Sequence, residues 1–243
     1  MTTEHIDAPP TTAHLHDRVN LAVVGVSALV LSASLWVETP ESPEPGASAA
    51  RIRSFFEANL DQIGLAVMSA TVGFGALLVM TVGLWRLVAA RGDGQSFAAV
   101  MLLLSGALTS LWLAVAGAVD LVPVVAADEA GKLSAYSDQT LLTLDLVNRL
   151  GETFGDVSTV SRGFFLLSVG LLVVRHRVLP RWIGHFAMVI GAASLIGIVA
   201  TAMNGGIAVL WLVGLFGFVL WVLILAIASL VALLWSRPQR SSL

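Results

Sequence analysis

The chain has 243 residues, of which 57% are hydrophobic and only 12% are charged, and its mean hydropathy is +0.88. A soluble domain of this length cannot hide so much apolar surface, so the composition excludes an ordinary soluble enzyme. The absence of Cys excludes disulfides, thiolate metal sites and Cys nucleophiles, and a net charge of −3 with few, scattered basic residues gives no support for nucleic-acid binding.

Six apolar stretches separated by short polar connectors organise the sequence. A helix rises about 1.5 Å per residue, so about 20 apolar residues cross a hydrocarbon core of about 30 Å. The sequence therefore predicts an all-α membrane domain over residues 19–236, with a disordered tail at 1–18 and a short tail at 237–243. The six predicted spans are 21–37, 63–85, 97–119, 155–175, 182–203 and 207–235.

The first apolar stretch has an alternative interpretation as a cleaved signal peptide. Arg18 precedes it, and small residues at 32–34 lie near a possible cleavage point. The polar leader is long and acidic for a signal peptide, which favours a retained span. Its three His, at positions 5, 14 and 16, have no fixed helical frame, so they predict no metal site.

An amphipathic helix is predicted before the second span. Alternating Pro and Glu over residues 38–46 favour an extended connector, and Ser48 follows as a helix cap. Beyond it, apolar residues recur on one helical face, namely Ile52, Phe55, Phe56, Leu60 and Ile63. We expect this helix to lie on the outer leaflet or to pack over the bundle.

A second amphipathic helix is predicted before the fourth span. Pro123 ends the third span, residues 124–132 are predicted as a loop, and a helix from Ser137 runs without a breaker into span four. Charged residues follow one stripe of that helix, namely Asp145, Arg149, Glu152 and Asp156. A solvated ion-pair ladder explains this stripe, whereas general acid-base chemistry or cation binding by the carboxylates is the alternative.

The distribution of basic residues predicts the topology. Placing the amino terminus in the cytoplasm leaves eight arginines inside, four basic residues outside and one arginine within a span. The eight are Arg18, Arg86, Arg91, Arg175, Arg177, Arg181, Arg237 and Arg240. The prediction is a multi-pass protein of the plasma membrane with both termini in the cytoplasm.

Arg162 is the charged residue within the predicted spans. If span four began after it, only residues 163–174 would remain, which is too short to cross. The span must begin near Gly155, which places Arg162 about 10 Å below the outer boundary. A guanidinium there costs about 2.5–3.5 kcal/mol on insertion scales, so it is a candidate functional residue.

Two interpretations of Arg162 stay open. It contacts a ligand in an outward-facing cavity, or it is structural and either reaches the outer headgroups or pairs with a carboxylate. The residues expected to line such a cavity lie at outer span ends and comprise Asp156, Glu152, Asp120, Asn204 and Asp61.

Small residues recur every four positions along the predicted fourth helix, at Gly151, Gly155, Thr159 and Gly163. Such a stripe lets another helix approach closely in lipid, so we interpret it as a packing seam within the chain, with oligomerisation as the alternative.

The order of these features resembles a known group of membrane proteins. The residues that carry the resemblance are Arg-Ile-Arg-Ser-Phe-Phe at 51–56 and the turn Leu-Pro-Arg-Trp-Ile-Gly at 179–184. The layout is similar to that of six-span actinobacterial membrane proteins defined only by a domain of unknown function. This resemblance implies a helical bundle in the plasma membrane and supplies no activity or site residue.

Three functional hypotheses follow. The first is a non-enzymatic accessory or scaffold subunit, or a lipid-facing sensor, with the bilayer and other membrane proteins as partners. The second is a carrier or receptor for a small anionic or lipidic ligand at Arg162, and the third is a membrane enzyme using Asp156 and Glu152. No cofactor, metal or catalytic motif is predicted. A carrier needs a cavity that reaches unpaired donors on Arg162, whereas a scaffold predicts a fully paired Arg162 and a dry core.

Overall fold

A computed structural model describes residues 11–37, 39–130, 133, 136–202 and 208–235. Within these ranges the chain forms α-helices and no strands. The helices are α1 (Thr11–Ser34), α2 (Ala49–Ala89), α3 (Phe97–Asp120), α4 (Val122–Ala130), α5 (Asp138–His176), α6 (Arg181–Ala202) and α7 (Ala208–Trp235).

Six of these helices are long and apolar enough to cross a membrane, all except α4. The predicted all-α class and the six candidate spans are therefore confirmed. Helices α2 and α5 have 41 and 39 residues, about twice the length that a crossing requires. The surplus turns precede the predicted spans at residues 63 and 155, without a break in either helix.

Serine caps fix where three helices begin. Ser48, Ser96 and Ser137 each adopt an extended backbone conformation, and each side chain accepts a hydrogen bond from the backbone N–H three residues later. Each bond satisfies an amide that has no partner within the helix, which explains why α2, α3 and α5 start where the sequence predicted a cap or an apolar stretch.

Two segments differ from the sequence-based prediction. Residues 124–130 belong to helix α4 rather than to a loop, and Pro123 is tolerated because it occupies the first turn. Helix α1 begins at Thr11, so residues 11–18 are helical rather than part of a disordered tail. The remaining tail residues, 1–10 and 237–243, lie outside the described ranges.

The spanning helices form a closed ring. Each helix contacts the next one in the order α1, α2, α3, α5, α6, α7, and α7 contacts α1. In addition, α2 contacts α5 across the interior of the ring. Helix α5 is the most enclosed, since 61% of its most apolar stretch is buried against 33–39% in the other spans. Side chains on α5 therefore determine what the interior of the ring contains.

The two ends of the ring carry different charges. The basic end comprises the α2–α3 and α5–α6 connectors and the helix turns beside them, with Arg86, Arg91, Arg175, Arg177 and Arg181. The acidic end comprises the α1–α2 connector, helix α4 and the turns of α2 and α5 near residues 63 and 155, where the predicted spans begin. Its carboxylates include Glu41, Asp120, Glu152 and Asp156.

Buried apolar residues form two separate clusters along α2 and α5. The bundle core fills the ring toward the basic end, with Leu77 and Leu84 of α2 packed with Phe165 of α5 and Trp221 of α7. The cap core lies beyond the acidic end, where Ile52 and Phe56 of α2 pack with residues of α4 and α5. The stretch of α2 and α5 between these clusters is where the candidate site lies.

Candidate functional site

A cavity of about 560 Å³ separates the bundle core from the cap core. Helices α1, α2, α3, α5 and α7 and the α1–α2 connector supply its described lining residues. The lining runs from buried Arg162 and Leu77 to the exposed Glu41 and Glu152, so the cavity reaches the surface at the acidic end. Its volume falls within the range of about 300–1,000 Å³ typical of small-molecule sites.

Arg162 lies at the deep end of this cavity. The residue is only 6% exposed, and its Nη2 donates a hydrogen bond of 3.1 Å to Thr159 Oγ1. Its Cζ lies 5.5 Å from the ring centroid of Phe218, which is a cation–π distance. Helix geometry explains the pairing with Thr159, because side chains on α5 tilt toward its amino terminus, one turn back.

The guanidinium is incompletely satisfied. Its Nε is buried and has no hydrogen-bond partner, and no carboxylate in the described part of the chain pairs with Arg162. A buried charge without a counter-ion is strongly disfavoured, and one hydroxyl and one aromatic ring replace only part of its hydration. Arg162 therefore presents an unused hydrogen-bond donor at the deep end of the cavity.

Three of the predicted site residues line the cavity together with Arg162, namely Asp156, Glu152 and Asp120. Asp120 lies against Gly151, where a side chain would collide with its carboxylate, and its buried Oδ1 has no hydrogen-bond partner. Asp61 is exposed and is not among the lining residues. Asn204 falls outside the described residues.

The predicted ion-pair ladder is correct for its first pair only. Arg149 Nε lies 2.9 Å from Asp145 Oδ2, as expected for residues one turn apart. Glu152 Oε1 instead accepts a hydrogen bond of 2.5 Å from Ser42 Oγ. Asp156 forms no ion pair within the described ranges. The ladder stops because Arg149 already binds Asp145 and a backbone carbonyl.

Residues 39–46, which we call the strap, cross the mouth of the cavity. Besides its bond to Glu152, Ser42 accepts a hydrogen bond of 3.0 Å from Asn148 Nδ2. Arg149 Nη2 donates to the backbone oxygen of Pro43 at 2.5 Å. The strap is thus tied to α5 at two successive residues. Sequence reasoning missed Ser42 and Asn148, because an extended connector offers no periodicity that relates it to a helix.

The small residues of the predicted seam lie in two different environments. A side chain at Gly163 would lie 3.1 Å from the backbone oxygen of Gly191, so this position is a close contact between α5 and α6, as predicted. A side chain at Gly155 would meet nothing within 4 Å, and Gly155 lines the cavity. The same stripe therefore packs against a helix at one point and leaves room at another.

Among the residues that the structure describes, no group of three or more His, Asp or Glu side chains is arranged to hold a metal ion. The chemistry available in the cavity is therefore that of one guanidinium, several carboxylates, hydroxyl groups and apolar walls.

Comparison with known proteins identifies no relative for this chain. No family model, no curated protein and no solved structure matches it. What the cavity does must be argued from its own geometry and charges.

Proposed function

We propose that this protein is a membrane carrier or receptor for a small ligand whose anionic group binds Arg162. The observation that carries the proposal is the unpartnered Nε of a buried guanidinium that lines a cavity open at one end. An anionic group placed there gains a charge-assisted hydrogen bond and removes the cost of an unpaired buried charge.

This proposal is preferred to the scaffold hypothesis. A scaffold needs a packed interior and a fully paired Arg162, whereas the described interior contains the cavity and an unused donor. A protein that acted only through helix packing would gain stability by replacing Arg162 with an apolar residue of similar volume. The third hypothesis, an enzyme using Asp156 and Glu152, has less support because Glu152 is already bonded to the strap.

The proposal includes an orientation. Arginines concentrate at the basic end, which supports placing that end and both termini in the cytoplasm. The membrane that we propose is the plasma membrane. The cavity then opens outward, beneath the amphipathic segments of α2 and α5 that precede the spans. The resemblance to six-span actinobacterial membrane proteins is consistent with this arrangement and stays a prediction.

The proposal is tested with Arg162→Gln and hexyl phosphate as the anionic probe, using purified protein in a neutral maltoside detergent. We expect the probe to raise the melting temperature of the wild-type protein. The substitution should weaken binding about tenfold to a hundredfold, because a hydrogen bond to a charged group is worth about 1.5–3 kcal/mol. The unliganded variant should be at least as stable as the wild type, since it no longer buries an unpaired charge.

Arg86→Gln is the matched control, because Arg86 is exposed at the basic end and does not line the cavity. It should bind hexyl phosphate as the wild type does. Equal stabilisation of Arg162→Gln and the wild type by the probe would overturn the proposal.

A further inference from the structure

We infer that the ligand is a zwitterionic amphiphile, whose anionic group meets Arg162 and whose cationic group faces Asp120 and Asp156. The inference rests on the proposed function and adds the charge pattern of the ligand. Its basis is that the cavity holds opposite charges that are not joined in an ion pair.

The first observation is the balance of charge around the cavity. Its described lining contains four carboxylates, on Glu41, Asp120, Glu152 and Asp156, and one guanidinium, on Arg162. The carboxylates lie on the side of the cavity mouth. A ligand that carries only negative charge is disfavoured there relative to one that also carries a positive charge, because like charges in a partly desolvated site are unfavourable.

The second observation is that two carboxylates form no ion pair, although Asp156 lies within electrostatic range of Arg162. The Oδ1 atom of Asp120 is buried without a hydrogen-bond partner, and neither Asp120 nor Asp156 forms an ion pair with a described residue. Glu152 differs, because Ser42 already donates to it. The cavity therefore offers an unpaired anionic region near its mouth and an unpaired cation at its deep end.

The third observation is the spacing of these charges along α5. The guanidinium of Arg162 bonds to Thr159, and Asp156 precedes Thr159 by three residues, or about 4.5 Å of helix rise. Asp120 packs beside Gly151, eight residues before Thr159 and about 12 Å away along the same axis. The two charges of the ligand should therefore lie about 5–12 Å apart. This separation exceeds that of the two charges in an α-amino acid, and a phosphoethanolamine-type headgroup falls at the lower limit of the range.

The fourth observation is that the walls between these charges are apolar. They include Leu31, Phe74, Leu77, Leu113 and Leu215, contributed by four different helices. Apolar walls with a few convergent polar groups are typical of sites that bind an amphiphile in a fixed orientation. The zwitterionic group therefore belongs to a molecule that also carries an apolar part.

The experiment compares probes that share a hexyl tail and differ in charge. Purified protein in maltoside is titrated with hexyl phosphoethanolamine, hexyl phosphate and hexylamine, and binding is measured from the melting temperature and from calorimetry. We expect the wild-type protein to bind the zwitterion about tenfold more tightly than the anion, as one added charge-assisted contact would give. Hexylamine, which cannot use Arg162, should bind most weakly.

Substitution of the two free carboxylates should change this preference. Asp120→Asn combined with Asp156→Asn should equalise the affinities for hexyl phosphoethanolamine and hexyl phosphate, whereas Arg162→Gln should weaken both. Asp61→Asn is the matched control, because Asp61 is an exposed carboxylate outside the cavity lining. If the double variant does not fold, Asp156→Asn alone serves, since Asp156 is exposed and its replacement leaves the half-buried Asp120 unchanged.

The outcomes separate this inference from the proposed function. If hexyl phosphate binds at least as tightly as the zwitterion, and the Asp variants do not change the ratio, the ligand is a simple anion and the inference is wrong, although binding at Arg162 stands. If no probe depends on Arg162, the proposed function itself fails. Phosphoethanolamine without the hexyl tail tests whether the ligand is an amphiphile. If it binds much more weakly than hexyl phosphoethanolamine, the ligand is lipid-derived. If the two bind equally, the apolar part of the inferred ligand is wrong.

Discussion

The basic and acidic ends of the ring use the same helices in opposite ways. At the basic end α5 and α6 come into backbone contact, and a side chain at Gly170 would lie 2.6 Å from the oxygen of Gly184. The carboxylate of Asp93 is paired there, because it accepts a hydrogen bond of 2.6 Å from His176 and lies 3.5 Å from Arg175. Toward the acidic end a cavity lies between the helices, although α3 still approaches α5 closely at Gly151, and Arg162 and Asp120 keep unpaired polar atoms.

Under the proposed function, this difference separates the residues that stabilise the bundle from those that bind the ligand. The bundle core, which includes Trp221 and Phe165 in edge-to-face contact, holds the ring together without help from the cavity. The cap core closes the far side, so the helices do not collapse into the space between. Substitutions at the basic end should therefore change stability, and substitutions at the acidic end should change binding.

The largest expected effect comes from placing the same side chain at two glycines of α5. Gly170→Leu should reduce the free energy of unfolding by about 3 kcal/mol, because it forces α6 away from a close contact. Gly155→Leu should leave stability unchanged or raise it by about 0.5–1 kcal/mol, since its side chain enters open space and Leu favours the helix. Thermal unfolding in detergent measures both.

Gly155→Leu should nevertheless lower the affinity for hexyl phosphate, because it fills the cavity. Gly75→Leu is the control for a leucine added to an exposed helical position with open space around it, and it should change stability as Gly155→Leu does without changing the affinity for hexyl phosphate. Equal destabilisation by the Leu substitutions at Gly155 and Gly170 would contradict the comparison between the two ends.

A smaller effect is expected from Asp93, which joins the α2–α3 connector to the end of α5. The hydrogen bond from His176 and the nearby charge of Arg175 hold the pKa of Asp93 below its ordinary value of 3.8. A carboxyl group whose pKa is lower in the folded protein stabilises the fold above the unfolded pKa. That contribution is lost as the pH falls through the folded pKa, so the effect belongs to the acid range below about pH 4.

Asp93→Asn should therefore lower the melting temperature slightly at neutral pH and flatten its decline in acid. The measurement is a series of thermal unfolding curves from pH 7 to pH 3, with Asp61→Asn as the control for removing an exposed carboxylate. An acid profile identical to that of the wild type would show that this contact does not stabilise the basic end.

The smallest effect on stability is expected from the strap. Ser42→Ala removes an exposed bond to Glu152 and a partly buried bond from Asn148, and hydrogen bonds of this kind are each worth about 0.5–1.5 kcal/mol. We expect the melting temperature to change little, while the rates of probe association and of proteolytic cleavage within residues 39–46 increase. Ser54→Ala, an exposed serine on α2, is the control, and unchanged rates would show that the strap does not restrict access.

The sequence alone predicted the helices well. Hydropathy and length identify six spans because a crossing needs about 20 apolar residues. The absence of a breaker after Ser137 predicted a helix that enters the fourth span without interruption. The same length argument singled out Arg162 within the bundle, and helix periodicity predicted the Asp145–Arg149 pair. These features depend on local spacing along one helix, which the sequence contains directly.

The tertiary structure alone decided what surrounds those residues. Gly155 and Gly163 belong to one stripe in the sequence, yet one faces a cavity and the other a neighbouring backbone, because that depends on how far apart separate helices stand. The contacts of Ser42 with α5 and of Asp120 with Gly151 join residues distant in sequence, and no local period encodes them. The sequence determined which groups lie within the candidate membrane spans, whereas the packing of the ring determined which of them stay unpaired.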